Sequence, residues 1–163
     1  MKLLPTTKSI AALTIFFSAV FSATSVFAQP NLTAIAAPVV SGSWIKTTIP
    51  GSAVSAAYMQ IKSATPFKLI KAESPAAGIV EIHDMKMNAG VMEMKALDVI
   101  EVPANKAVTL KPGGMHVMLM NVKKPINKGD KVPMTLTFEG ANKKAVLVKL
   151  ELVARESAAA NPH

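Results

Sequence analysis

Residues Gly78–Leu97 read GIVEIHDMKMNAGVMEMKAL, and both ends of this stretch have the two-residue period of a β-strand. The period predicts one strand over Gly78–His83 and a second over Val91–Leu97. Between them, Asn88-Ala89-Gly90 is a turn signal, because these residue types reverse the chain readily. The stretch therefore predicts two short strands separated by a turn.

The same combination of short apolar periodicity and turn residues recurs along the chain and predicts nine strands in all. The other seven are Val39–Thr48, Ala56–Ser63, Lys68–Ala72, Ala107–Leu110, His116–Val122, Lys131–Phe138 and Lys144–Leu152. No helix and no internal repeat is predicted. Many short strands at this spacing indicate an all-β antiparallel sandwich or barrel with a single domain.

The first 28 residues have the features of an export signal. Lys2 and Lys8 supply the positive start, residues 10–21 form an apolar segment of 12 residues, and Val26-Phe27-Ala28 is a small-residue cleavage site. A membrane anchor is the alternative, but it needs roughly 20 apolar residues. We therefore expect cleavage after Ala28, a periplasmic location and no membrane span in the mature chain. No cysteine follows the signal, so no lipid-anchored form is expected.

Removing 28 of the 163 residues leaves 135, which suffices for one domain with one core. The predicted organisation is a signal peptide over 1–28, a lead-in segment over 29–37, a folded domain over 38–153 and a flexible tail over 154–163. We expect a monomer.

The net charge of the chain is +8, and it falls to +6 when Lys2 and Lys8 leave with the signal. The basic residues are dispersed rather than arranged in a stripe with aromatics, which is typical of a solvated surface and argues against nucleic-acid binding. A diffuse positive face can still steer docking to an acidic partner.

Cysteine is absent, so neither a disulfide nor a thiolate metal site is available. This excludes a blue-copper electron-transfer site, which requires a cysteine sulfur. Any soft metal ligand in this chain must be methionine, of which there are ten.

Strand parity brings candidate ligands onto common faces. Glu81 and His83 share one face of their predicted strand, so this histidine has a charged neighbour. His116 and Met118 share one face of theirs, and two side chains at this spacing can contact a single ligand. The parity of Met94 leaves open which side of the domain it faces.

Thioether sulfur is soft and uncharged, so it suits Cu(I) and is a poor ligand for zinc, calcium or magnesium. Most methionines in β domains fill the core, and this is the interpretation for Met59 and Met134. Both internal histidines, by contrast, lie within two positions of a methionine. Composition and parity thus leave a copper site and plain packing as equal alternatives.

The spacing of these residues resembles the periplasmic copper chaperone family PCuAC. That family is marked by a His, ten residues, a Met, twenty-one residues and His-x-Met, a pattern that His83, Met94 and His116-Val117-Met118 match at every position and in both gaps. Flanking segments such as EIHDMKMNAGVMEMK and GDKVPMTLTFEG are also similar. The resemblance covers about 109 residues, from Trp44 to Leu152.

The resemblance implies a cupredoxin-like Greek-key β fold and one Cu(I) held by His83, Met94, His116 and Met118. It further implies delivery of copper to the CuA centre of cytochrome c oxidase subunit II, alongside Sco-type proteins as partners. Further methionines of the same segments could form a soft outer shell or could simply pack; they are Met85, Met87, Met92 and Met120. The second, oxidised copper site of some family members is not expected, since the tail offers only His163.

Three other functions remain as alternatives. Periplasmic copper storage or resistance would use the same ligands without a dedicated oxidase receiver. An enzyme could assemble His83, Asp84 and His116 with a serine, but no nucleophile elbow or Gly-rich phosphate loop accompanies them, so we do not expect an enzyme. A purely structural exported domain would show no dependence on metal.

Overall fold

A computed structural model describes residues 36–156, and these form ten β-strands and no helix. The strands are β1 (Val39–Lys46), β2 (Val54–Lys62), β3 (Phe67–Glu73), β4 (Ala77–Asn88), β5 (Val91–Leu97), β6 (Ile100–Val102), β7 (Val108–Leu110), β8 (His116–Val122), β9 (Lys131–Gly140) and β10 (Ala145–Arg155). The predicted all-β class is confirmed. The predicted signal peptide lies outside the described residues. Within the described part of the chain, no helix long and apolar enough to cross a membrane is found.

All ten strands belong to one sheet, in the order β5-β4-β8-β2-β1-β10-β9-β3-β6, with β7 paired to β2 beside β8. Neighbouring strands are antiparallel except β1 and β10, which pair in parallel from Trp44 to Lys46. This parallel pair joins two antiparallel halves, β5-β4-β8-β2-β1 and β10-β9-β3-β6.

Both halves of the sheet contribute to a single hydrophobic core. Strand β9 shows the underlying pattern: its alternate residues Val132, Met134, Leu136 and Phe138 are buried, because successive side chains of a strand point to opposite faces. The facing half supplies buried side chains from β2, β4 and β8, among them Ile61, Met59, Ile82, Val117 and Leu119. Met59 and Met134 are 2% and 1% exposed, so their predicted core role is confirmed.

One strand was missing from the sequence-based prediction, and one was predicted too short. Strand β6 has only three residues and is followed directly by Pro103, yet Ile100 and Val102 are buried and β6 pairs with β3. Strand β4 continues five residues past His83, through a segment whose Asp, Lys and Asn have low strand propensity. Cross-strand pairing with β5 keeps this segment extended.

The predicted tail beginning at Ala154 is wrong for its first two residues. Strand β10 runs to Arg155, and Ala154 is 1% exposed. The Ala154 amide donates to the Asp130 carbonyl at 2.8 Å, and its carbonyl accepts from the Gly129 amide at 2.9 Å. Pairing with β1 therefore carries the domain beyond residue 153. The tail after Glu156 lies outside the described residues.

Candidate metal centre

Strand β8 separates the core from the candidate ligands. Its residues Val117 and Leu119 are fully buried in the core, so His116 and Met118 point to the opposite face of the same sheet half. His116 is nevertheless only 3% exposed. Other parts of the chain must therefore cover this outer face around the histidine.

The two internal histidines are cross-strand neighbours. In the antiparallel pairing of β4 with β8, His83 lies directly opposite His116, so both side chains are on the outer face. Their ring centroids are 5.8 Å apart with an interplanar angle of 63°. Two residues separated by 33 positions in the sequence thus meet in one place.

The pairing of β4 with β5 decides the face of Met94. Met94 lies opposite Met85, and Met85 is two residues from His83 on β4. Both methionines therefore share the outer face with the histidines. Met118 joins the same face opposite Glu81. The tertiary structure thus brings all four predicted ligands to one face, while their role as ligands stays a prediction.

A carboxylate orients the ring of His83. Its Nε2 lies 2.9 Å from Oε2 of Glu81, and because a carboxylate only accepts, Nε2 carries the hydrogen. The other ring nitrogen, Nδ1, is buried and has no hydrogen-bond partner. In a neutral ring this nitrogen has a free lone pair, which is costly to bury unless something binds it. A carboxylate that bonds the second nitrogen of a histidine is a common support of metal ligation.

The ring of His116 is held by the backbone. Its Nδ1 lies 2.9 Å from the carbonyl oxygen of Gly114, so Nδ1 donates and Nε2 keeps its lone pair. Each of the two adjacent histidines therefore has one nitrogen engaged by protein and one available to an electrophile such as a metal ion.

A cleft of about 170 Å³ opens over this face. Its floor includes Met94, His116 and Met118, and Met85 lines it as well. The segment between β1 and β2 forms the opposite wall, through residues such as Thr47, Ile49 and Ser52. His83 does not line the cleft: it lies beside His116 with a side chain 12% exposed. The cleft thus gives access from solvent to three of the four predicted ligands.

Two aromatic side chains continue the row of histidines across the sheet. Trp44 and Tyr58 are paired on β1 and β2 with ring centroids 4.5 Å apart, and the Tyr58 ring is 6.3 Å from that of His116. Burial raises the pKa of the Tyr58 phenol, so this group stays neutral at physiological pH. The aromatic pair shields one side of His116 from water.

The four predicted outer-shell methionines fall into two groups. Met85, Met87 and Met92 lie on the β4–β5 hairpin with Met94. Met120 lies on the other side of the histidine row, between Val54 and Ile79. Within residues 36–156 no group of three or more His, Cys, Asp or Glu side chains is placed to hold a metal ion. A site on this face would therefore depend on thioethers.

Sequence reasoning did not assign a role to Glu81, Gly114, Trp44 or Tyr58. A signal for Glu81 was present, because it lies two residues before His83 on one strand face. No local pattern identifies the other three, since each reaches the histidines only through strand pairing or a turn.

The fold and this face define a small all-β domain with a cluster of histidine and methionine side chains outside its core. The chain belongs to the LpqE-like family, whose model, described as "Putative lipoprotein LpqE-like", matches residues 39–150. The resemblance to PCuAC domains is confirmed by the solved structures that the chain matches.

Two curated relatives are similar in sequence. "Putative lipoprotein Lxx21020" of Leifsonia xyli subsp. xyli is 33% identical over 116 residues, which span 69% of this chain and 68% of the relative. "Uncharacterized protein RP573" of Rickettsia prowazekii is 33% identical over 85 residues, spanning 52% of this chain and 47% of that protein. The first relative is named as a lipoprotein, whereas the present chain contains no cysteine.

Solved structures of PCuAC domains match the fold. The copper-bound PCuAC domain from PmoF2 superposes with a TM-score of 0.61 at 26% identity, covering 76% of this chain and 97% of that domain. The solution structure of CuI-DR1885 from Deinococcus radiodurans gives a TM-score of 0.57 at 28% identity, covering 74% of this chain and 78% of that protein. The cupredoxin-like fold predicted from the sequence is therefore confirmed.

Proposed function

We propose that this protein is an exported copper chaperone that binds one Cu(I) through His83, Met94, His116 and Met118. The observation that supports it most strongly is the pair of adjacent histidines, each with one nitrogen bonded to protein and one free. Two thioethers on the same face complete a set of soft and borderline ligands that suits Cu(I). The copper-bound forms of its structural neighbours support the same metal.

In this proposal copper is cargo, and it leaves by ligand exchange. Met94 is 49% exposed and His116 is 3% exposed, so the thioether at the hairpin is the ligand that a partner reaches first. A thiolate or imidazole of the receiver forms a bond to copper while the bond to the Met94 sulfur breaks. Copper remains Cu(I) throughout, and no electron is transferred. The buried histidines release the ion last.

The proposed receiver is the CuA centre of cytochrome c oxidase subunit II, with Sco-type proteins acting in the same assembly. The proposed place of action is the periplasm, after cleavage of the signal behind Ala28. Both follow from the family resemblance. Storage or resistance without an oxidase receiver is the competing function, and it would use the same ligands.

The first experiment is anaerobic titration of residues 29–163 with Cu(I) against a chromophoric chelator, with Zn(II) and Cu(II) in parallel. One tightly bound Cu(I) per chain and weak zinc binding are expected. The test variant is His116→Asn with Met118→Leu, because the asparagine amide keeps the hydrogen bond to the Gly114 carbonyl and leucine keeps the volume. This variant should lose tight Cu(I) binding while its far-ultraviolet circular dichroism stays unchanged. Full affinity in the variant would refute the ligand assignment.

Transfer to an isolated subunit II copper domain separates the two functions. A chaperone moves Cu(I) to the apo domain faster than the rate at which copper dissociates into a chelator. Transfer no faster than that dissociation would favour storage.

A further inference from the structure

The β4–β5 hairpin extends beyond the rest of its sheet. Strand β8 accompanies β4 only as far as His83, whereas β5 pairs with β4 up to Asn88. Residues 84–88 and 91–95 therefore form a two-stranded ribbon with no further strand beside it among the described residues. Two strands alone are marginally stable in water, so the side chains on the ribbon are not explained by core packing.

The two faces of this ribbon have different chemistry. One face carries two directly opposed methionine pairs, Met85 with Met94 and Met87 with Met92. The other face carries the cross-strand pairs Asp84 with Lys95, Lys86 with Glu93 and Asn88 with Val91. We call the first face, Met85, Met87, Met92 and Met94, the methionine ladder. It holds no carboxylate, hydroxyl or imidazole.

The ladder is exposed, which distinguishes it from the core methionines. Met87, Met92 and Met94 are 66%, 60% and 49% exposed, whereas Met59 and Met134 are almost fully buried. β-Branched residues suit an exposed strand better than methionine does. Four thioethers in place of branched side chains therefore add little to the fold, and their shared property is the sulfur atom.

The spacing allows these sulfurs to converge. Opposed residues of antiparallel strands have Cβ atoms about 5 Å apart, and diagonal neighbours are about 7 to 8 Å apart. Methionine is unbranched and has three rotatable bonds, so the sulfurs of opposed and diagonal neighbours can meet at one ion. Uncharged thioethers bind soft monovalent ions and have little affinity for Ca²⁺, Mg²⁺ or Zn²⁺.

We propose that the methionine ladder is a second soft-metal site, which takes Cu(I) or Ag(I) through thioether sulfur alone. It goes beyond the proposed histidine site and can exist without it. The two sites have Met94 in common, and Met85 and Met94 line the cleft that reaches His116. An ion bound at Met87 and Met92 thus has a continuous path of sulfurs to the histidines.

The test uses residues 29–163 labelled with ¹³C at the methionine methyl groups and titrated with Ag(I), a soft ion that is not oxidised in air. The background variant is His83→Gln with His116→Asn, in which the amide groups keep the hydrogen bonds to Glu81 and Gly114 but offer no imidazole. We expect the methyl signals of Met87 and Met92 to shift and to saturate near one Ag(I) per chain.

Adding Met87→Leu and Met92→Leu to this background should weaken Ag(I) binding at least about ten-fold. The matched control is Met120→Leu, a methionine of the same outer face on the far side of the histidine row, which should leave the affinity unchanged. The proposal is overturned if the Met87 and Met92 methyl signals respond no more than that of Met120, or if the leucine pair binds Ag(I) like its background. The methyl readout needs no change in the ladder, so misfolding of the leucine variant would not rescue the idea.

The same titrations separate the two proposals. Tight Cu(I) binding by the unmodified chain without any response of the ladder methyl groups would leave the histidine site standing and remove the ladder. A ladder response in the histidine-free background, with no tighter Cu(I) binding in the unmodified chain, would do the reverse.

Discussion

Replacing Glu81 with alanine should weaken Cu(I) binding although Glu81 is not a proposed ligand. The Glu81 carboxylate accepts the hydrogen of His83 Nε2 at 2.9 Å, which leaves Nδ1 as the nitrogen with a free lone pair. Without this acceptor the ring can rotate or carry its hydrogen on Nδ1, and either change removes the lone pair from the site. Glu81 thus acts as a positioning residue for His83.

The magnitude follows from the surroundings of this hydrogen bond. Loss of a partner that orients a metal-bound histidine typically lowers metal affinity about 10- to 100-fold, or roughly 1.4 to 2.7 kcal/mol. The side chain of Glu81 is 46% exposed and that of His83 is 12% exposed, so water can partly replace the carboxylate. We therefore expect the lower end, about ten-fold. The stability of the metal-free protein should change by less than about 0.5 kcal/mol, because exposed ion pairs contribute little.

Two matched variants make this prediction specific. Glu81→Gln keeps an oxygen that accepts from Nε2 and should bind Cu(I) within about three-fold of the unmodified chain. Glu101→Ala removes the same charge from an exposed ion pair with Lys68 in the other half of the sheet and should have no effect. Affinity is measured by anaerobic competition with a chromophoric Cu(I) chelator.

Nitrogen NMR of the imidazole supplies a second readout that a merely structural role would not change. The metal-free protein should show His83 protonated on Nε2, and this preference should weaken in Glu81→Ala. The reasoning is refuted if Glu81→Ala binds Cu(I) as tightly as the unmodified chain, or if Glu101→Ala weakens binding equally. It is also refuted if His83 carries its hydrogen on Nδ1.

Two further predictions concern the fold. Phe138→Ala should lower the free energy of unfolding by about 3 to 5 kcal/mol, because Phe138 is fully buried against the Phe67 ring at 6.4 Å; urea denaturation with an unchanged slope would measure it, and a loss below about 1 kcal/mol would contradict the packing. Ala89→Asn should stabilise the β4–β5 hairpin by about 0.5 to 1 kcal/mol, since Ala89 and Gly90 both have positive φ, at 47° and 82°, and asparagine tolerates this conformation better than alanine. A lower midpoint of thermal unfolding in Ala89→Asn would count against this turn geometry.

The strand content could be predicted from the sequence because β-strands leave a local signal. Strand β9 alternates apolar and polar residues, and β5 and β8 were predicted with their observed bounds. The signal failed where local preference and pairing disagreed. Residues 84–88 look unsuited to a strand, and β6 is too short to show a period, yet both have partners that hold them extended.

The sequence by itself determined the kind of chemistry available to this protein. Absence of cysteine leaves methionine as the soft ligand, and the two-residue spacing of His116 and Met118 puts them on one face of a strand. The turn residues Ala89-Gly90 also bring β5 back alongside β4. These conclusions depend only on residue types and on spacings within a few positions.

Only the tertiary structure decided which side chains meet. The opposition of His83 and His116, and the side that Met94 faces, follow from the register between strands that are distant or ambiguous in sequence. A shift of one residue in either pairing would turn these side chains to the other face of the sheet. Register is set by burial of the apolar face of each strand in a common core, which is a property of the whole fold, and for this reason no local pattern could specify it.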